Sequence, residues 1–335
     1  MRIVRKIILH HFSFIRYIHS NIIYNQPMKL TQPISGVYVA AVTPLNADFT
    51  IQTEALPALL HFFAQRGCHG ALLFGTTGEG PSFSTEERRT VFQMAARIRQ
   101  ELPGFSLLAG TGTPSLDETI QLTRTAFDCG FDGVVVLPPY YFRKATEEGL
   151  FAWYQQVIQK SVPGDGHLLG YHFPGMSGVA LSIELLRRLK DAFPSQFAGL
   201  KDSSGEEDFS RQLNEKFGDD LIVLTGNDRL FNQALEQQAS GCITAMANLY
   251  SPYLRLVWDS YKLGSPDSAA QARLVALRNV FDQYPPAAPF IKALLPRLHN
   301  LPAWPVRPPL MSARPEVAEK ALAELAAQGE QAAAL

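Results

Sequence analysis

Eight short apolar runs, separated by stretches of helical periodicity, constrain this chain more than any other property of its 335 residues. They lie at Gly36–Thr43, Gly70–Gly75, Ser106–Gly110, Gly133–Leu137, His167–Phe173, Phe197–Lys201, Leu221–Thr225 and Cys242–Ala245. Runs this short and this apolar suit strands buried on both faces, and a helix between successive strands makes them parallel. The helical pattern is clearest where Ile183, Leu185, Leu186, Leu189 and Phe193 oppose Arg187, Arg188, Lys190 and Asp191. Ser84 with Glu87, and Ser115 with Glu118, have the spacing of capping boxes and predict helix starts. Eight βα units in series predict a closed (β/α)8 barrel of the α/β class, a TIM barrel, rather than an open sheet.

The chain is expected to divide into an N-terminal extension over 1–27, the barrel over 34–250 and a C-terminal helical region over 251–335. A proline-rich interruption at Leu301–Pro309 breaks that last region, and its Ala- and Glu-rich end is expected to fray. Residues 1–26 carry Arg2, Arg5, Lys6, His10, His11, Arg16 and His19 and no acid. That composition fits a transit-type presequence. Scarce serine favours the other reading, an upstream extension with the functional start at Met28.

Apolar residues make up 46% and charged residues 18% of the chain, with a net charge of −1. This composition excludes a strongly basic nucleic-acid surface, and past the N-terminal extension no apolar run is long enough to span a bilayer. Cys68, Cys129 and Cys242 are odd in number and widely spaced, as in reduced thiols of a cytoplasmic protein. Organellar import stays open if 1–27 is a presequence. No residue pattern predicts a metal site. His167 and His172 flank one strand without a third ligand.

In a barrel of this kind, chemistry sits at the carboxyl ends of the strands. Lys201 ends the sixth run within Gly199-Leu200-Lys201-Asp202-Ser203-Ser204-Gly205. Burial removes the water that favours an ammonium ion, leaving an amine that attacks carbonyl carbon. Taken alone, the segment is better read as a solvated lysine closing an edge strand, since most lysines are solvated. The second run ends in Gly75-Thr76-Thr77-Gly78-Glu79-Gly80, where two hydroxyls between glycines suit a small carboxylate, or simply form a turn. Pro138-Pro139-Tyr140-Tyr141-Phe142 ends the fourth run and Tyr171-His172-Phe173-Pro174-Gly175 the fifth.

These segments, in this order, resemble the dihydrodipicolinate synthase / N-acetylneuraminate lyase family of class I aldolases over roughly residues 34–312. The resemblance implies that Lys201 forms an imine with pyruvate or another 2-oxo acid, so that no cofactor is needed beyond this covalent imine. It implies that Tyr171 transfers protons, and that Thr76 links Tyr171 to Tyr141, which reaches a neighbouring subunit's site. Thr76 and Thr77 would bind the 2-oxo acid's carboxylate. Gly75, Met176, Gly226, Asp228 and Ile243 would complete the substrate-binding set. The implied assembly is a homo-oligomer, a tetramer built from dimers, acting on a small 2-oxo acid and an aldehyde, with no nucleic-acid or membrane partner.

Departures from the family pattern bear on the second substrate. Met176 stands where the synthases carry an arginine for the aldehyde's carboxylate, and a thioether cannot make that charge-assisted pair. Arg229, in Gly226-Asn227-Asp228-Arg229, either substitutes for it or starts the next helix facing solvent. Asp228 could take a sugar hydroxyl. Of the family's lysine-feedback pocket only Tyr140 and Glu118 match, with Thr85, Arg88 and Pro114 elsewhere, so lysine feedback is not expected. His172 replaces the usual asparagine after the reactive tyrosine, and packing is the best role for it.

The expected activity is that of a Schiff-base aldolase or lyase on a 2-keto-3-deoxy sugar acid or similar molecule. Alternatives are 4-hydroxy-tetrahydrodipicolinate synthesis from pyruvate and aspartate semialdehyde, sugar-acid dehydration, or a catalytically silent 2-oxo-acid-binding paralogue.

Overall fold

The computed structural model describes residues 34–328. Segment 1–27, with its presequence question, and the chain end from 329 lie outside the described residues. Eight parallel strands close into one barrel: β1 (Gly36–Ala40), β2 (Gly70–Leu73), β3 (Ser106–Gly110), β4 (Gly133–Val136), β5 (Leu168–His172), β6 (Phe197–Asp202), β7 (Ile222–Thr225) and β8 (Gly241–Thr244). The ring closes through β1 and β8, where Tyr38 is in register with Ile243.

Helices α1 (Leu56–Gln65), α2 (Thr85–Arg99), α3 (Leu116–Asp128), α4 (Glu147–Ser161), α5 (Ile183–Ala192), α6 (Glu207–Phe217), α7 (Phe231–Glu236) and α8 (Ala247–Lys262) each follow the strand of the same number. The barrel class expected from the eight apolar runs is therefore present. Ser84 caps α2 in a complete capping box with Glu87, and the Ser115 hydroxyl accepts the Glu118 N–H at the start of α3. On α5, Leu185, Leu186 and Leu189 are fully buried, and each side chain removed from water contributes about 1.5–3 kcal/mol.

Every residue of β1–β6 and β8 is buried, as expected where helices cover the outside and side chains fill the lumen. Alternate residues divide between the two. Tyr38, Leu72, Leu108, Val135, Leu169, Tyr171, Leu224 and Ile243 pack together as the lumen cluster. Val37, Val39, Ala71, Leu107, Val134, Leu168 and Leu200 belong to the larger core beneath the helices. Leu200 faces outward, so the period of two turns Lys201 inward.

The first run, read as a strand to Thr43, ends at Ala40. Beyond it the Val42 N–H goes to Asn248 Oδ1 (3.2 Å), and the Thr43 hydroxyl donates to Gly78 O (2.7 Å), so both groups leave the ladder. The sixth strand runs one residue past its predicted end, to Asp202. Glycine is required at position 199: a Cβ there would stand 2.1 Å from Ile222 O, across the β6–β7 pair.

Three further helices complete the described residues, α9 (Ser268–Phe281), α10 (Ala287–His299) and α11 (Pro315–Ala327). Residue 250 falls inside α8, which packs on β1. Helix-free chain runs from 300 to 314, covering the proline-rich interruption. None of the helices among the described residues is long and apolar enough to cross a membrane.

Candidate active site

Three of the sequence-selected side chains meet at the carboxyl end of the lumen. Lys201 on β6 and Tyr171 on β5 are register partners, 3% and 5% exposed. The Lys201 Nζ stands 4.1 Å from the centroid of the Tyr171 ring. Tyr171 Oη lies 3.4 Å from Thr76 Oγ1 on the turn after β2, a weak hydrogen bond in which either oxygen can donate. Phe173 stacks on Tyr171 at 5.8 Å and fixes the plane of the phenol.

The aspartate next to the lysine does not neutralise it. Asp202 turns away, accepting from Ser204 N (2.9 Å) and Ser204 Oγ (2.7 Å), and so folds the Ser203-Ser204-Gly205 turn. Burial pushes its carboxyl above the usual range, against those bonds. No carboxylate among the described residues lies within ion-pair distance of Lys201 Nζ. The amine is thus held in a buried site beside a phenol and a hydroxyl, groups that can carry protons.

The remaining sequence-selected positions divide in two. Thr77 and Gly75 are buried in the same turn as Thr76, where the Gly80 N–H donates to Gly75 O (3.1 Å). Ile243 is fully buried in the lumen cluster with Tyr171. Gly226 follows β7, with its N–H on Asp202 O (2.6 Å). Met176 is 53% exposed on the one-turn helix Pro174–Ser177 that follows β5. Tyr141 is not brought to Thr76. It is 75% exposed, with its ring edge-on to Phe142, and within the described residues it makes no hydrogen bond.

Asp228 and Arg229 are engaged elsewhere. Asp228 is completely buried and accepts from Arg278 Nη1 on α9 (2.6 Å). Burial holds its carboxyl above the ordinary range despite the arginine. Arg229 reaches outward to Asn279 Oδ1 (2.8 Å from Nη2) and to Asp282 (2.8 Å). The partners of Arg229 and of Asp228 Oδ2 come from α9 and the residue after it, which the local sequence does not reveal, while Asp228 Oδ1 is buried without a hydrogen-bond partner.

Two residues of these motifs have structural roles: the packing expected of His172 is present, and the role of Glu79 escaped the sequence. His172 points out of the lumen, accepts the Leu181 N–H at Nδ1 (3.0 Å) and stacks on Phe209 at 4.2 Å. Burial lowers its pKa to about 4, opposed by Glu206. It is a neutral ring that anchors the 174–181 connection. Glu79, the last residue of the Gly75–Glu79 motif, is 2% exposed and paired with Lys292 of α10. The motif marked Glu79, but no signal marked its partner 213 residues away. Among the described residues no group of three or more His, Cys, Asp or Glu is gathered as a metal would require.

Known proteins share this architecture. The profile of the Dihydrodipicolinate synthetase family matches residues 33–328. An uncharacterized DapA-like lyase of Chloroflexus aurantiacus is 38% identical over 279 residues, 82% of this chain and 91% of that protein. A 4-hydroxy-tetrahydrodipicolinate synthase of Chlorobium phaeovibrioides is 32% identical over 252 residues, 75% of this chain and 82% of that one. YagE, a prophage protein of the dihydrodipicolinic acid synthase family from E. coli K12 solved with pyruvate, superimposes with a TM-score of 0.83. It shares 22% identity and covers 89% of this chain and 99% of its own, a likeness of fold.

Proposed function

This chain belongs to the dihydrodipicolinate synthetase family of cofactor-free lyases, and from that premise we propose that Lys201 forms a Schiff base with a 2-oxo acid. The reaction proposed is the making or breaking of the adjacent carbon–carbon bond, with a 2-keto-3-deoxy sugar acid or similar hydroxylated chain as substrate. The observation that carries this reading is the buried Lys201 amine over the Tyr171 ring, with Tyr171 Oη beside Thr76 Oγ1.

Attack of the amine on the ketone carbon gives a carbinolamine. A proton passed through Tyr171 lets its hydroxyl leave as water, forming the iminium. In the cleavage direction Tyr171 takes the proton of the C4 hydroxyl, and the C3–C4 bond pair moves into the iminium. An aldehyde leaves, and the enamine is protonated at C3. Hydrolysis then frees the 2-oxo acid and the lysine. Thr76 and Thr77 supply hydroxyl and backbone N–H donors for the carboxylate.

Borohydride reduction in the presence of pyruvate tests the first step: a stable adduct mapped to Lys201 is expected, and a parent chain that gains no mass refutes the reading. That result also separates an enzyme from a silent binding paralogue.

Synthesis of 4-hydroxy-tetrahydrodipicolinate is the second reading, favoured by synthases among the relatives at about one-third identity. Against it, Met176 replaces a carboxylate-binding arginine and Arg229 is bound to α9. Turnover of aspartate semialdehyde is expected to be poor in the parent and better in Met176→Arg. Efficient turnover by the parent would favour the synthase. Dehydration, in which the same imine acidifies the neighbouring carbon and expels hydroxide, is read by assaying sugar acids for loss of water instead of release of pyruvate.

Tyr141 and Phe142, 75% and 69% exposed, form an aromatic pair at the rim. We assign them to a neighbouring copy in a tetramer built from dimers, with Tyr141 completing that copy's proton path. A fully active monomer in sedimentation would contradict this.

A further inference from the structure

We propose that Glu79 and Lys292 are positioning residues that hold the Thr76-Thr77 turn in its carboxylate-binding shape, so that the helical region after the barrel acts on substrate selection. This inference rests on the reading of Thr76 and Thr77 given above.

The turn after β2 is closed by Glu79, whose N–H donates to Thr76 O (3.1 Å). Closing it places Glu79 in the left-handed region, φ 56°, which is unfavourable for a residue with a side chain relative to glycine. Something must hold that conformation, and the side chain shows what does. Glu79 Oε1 accepts from Lys292 Nζ at 2.5 Å, and Oε2 accepts the Arg307 N–H at 2.8 Å. Lys292, 2% exposed on α10, also donates to Pro305 O (2.7 Å). Burial lowers its pKa, and the Glu79 carboxylate opposes that shift.

A second clamp runs alongside. The Arg307 guanidinium binds both Glu87 oxygens (2.8 and 3.1 Å), Ser82 O (2.7 Å) and Phe49 O (2.7 Å), and lies 4.3 Å over the Phe83 ring. The helix-free segment at 305–307 is thus bonded along the chain that runs from the turn to the first turn of α2. On the other side Thr43 Oγ1 holds Gly78 O.

A buried ion pair is weak grounds for stability, because well-packed apolar side chains of similar volume often do as well. What the pair supplies is direction. Both carboxylate oxygens of Glu79 are fixed from outside the barrel, which fixes its backbone and, through the closing N–H, the Thr76 carbonyl.

The test compares borohydride trapping of pyruvate with trapping of methyl pyruvate, which has the same ketone and no carboxylate. Three full-length chains are used: the parent, Lys292→Met, and the doubly neutral Glu79→Gln/Lys292→Met, which leaves no unpaired buried charge and keeps an acceptor for Arg307. Circular dichroism verifies folding. In the double variant we expect the preference for pyruvate over its ester to fall by about tenfold or more, from a raised half-saturation for pyruvate, while ester trapping stays near the parent rate. A folded double variant with the parent's preference, or one that loses both substrates equally, overturns the positioning role. If Lys292→Met fails to fold, the double variant decides. A parent that traps pyruvate but does not prefer it to the ester overturns the carboxylate reading of Thr76 and Thr77 instead, and a parent that traps neither overturns the Schiff base.

Discussion

Replacing His172 by asparagine is expected to remove a large acid sensitivity from the protein's stability. The ring is buried beside Phe209, and desolvation lowers its pKa from an ordinary 6.5 to about 4. An unfolded chain therefore takes up a proton at His172 as pH drops through 6.5, whereas the folded protein does not until about 4. Proton uptake by the unfolded state costs stability, so the contribution is intact above pH 6.5 and is lost as pH falls towards 4. The two pKa values give a loss of about 2 kcal/mol at pH 5 and about 3 kcal/mol at pH 4. Asparagine does not titrate there, and its amide oxygen can still accept the Leu181 N–H. The stacking lost on Phe209 adds a penalty that does not vary with pH. Urea unfolding of parent and His172→Asn at pH 7.5, 6, 5 and 4.5, at one protein concentration, reads the difference. The parent's advantage should shrink as pH falls, or reverse. Two stability curves that run parallel across this range, within about 0.5 kcal/mol, would refute the burial argument.

Tyr171→Phe removes the hydroxyl beside Thr76 but keeps the ring under Lys201, so kcat should fall by about 10²–10³. Steady-state assay of 2-oxo acid cleavage checks it, and near-parent turnover would remove Tyr171 from the proton path. Gly199→Ala puts a methyl 2.1 Å from Ile222 O in the strand that carries Lys201, and should cost more than about 2 kcal/mol in urea unfolding. An unchanged midpoint would contradict the close approach of β6 and β7. Asp132 accepts from Arg99 Nη1 (2.9 Å), Leu107 N (2.8 Å) and Ser106 Oγ (3.1 Å) between β3 and β4. Asp132→Ala should destabilise by about 3 kcal/mol and Asp132→Asn by less, and equal losses would show that the acceptor oxygen is not what matters.

Reading the sequence worked where the controlling physics is local. The capping serines 84 and 115, the amphipathic pattern of α5 and the eight strands, to within three residues at their ends, appear where periodicity and side-chain chemistry place them, because each depends on neighbours a few residues away. It fell short where partners come from afar. Arg229 read equally as a pocket cation or a surface residue, and the choice was made by Asn279 and Asp282, about fifty residues on. Asp228 read as a hydroxyl acceptor, and Arg278 takes its Oδ2 while Oδ1 stays without a partner.

The sequence by itself determined the barrel, its βα order and the strand ends at which Thr76, Tyr171 and Lys201 had to emerge, since a period of two and a repeated helix leave little else for the chain to do. Only the tertiary structure decided how those ends face one another. Barrel closure brings residues 95 and 30 positions apart to within touching distance, and it aligns Tyr171 with Lys201 through ladder register that no single strand encodes. It also decided that Glu79, left-handed and buried, is held by Lys292 from the far end of the chain. Burial and long-range pairing are properties of the assembled surface, so the lysine proposed to react was legible early and the residues that hold its surroundings were not.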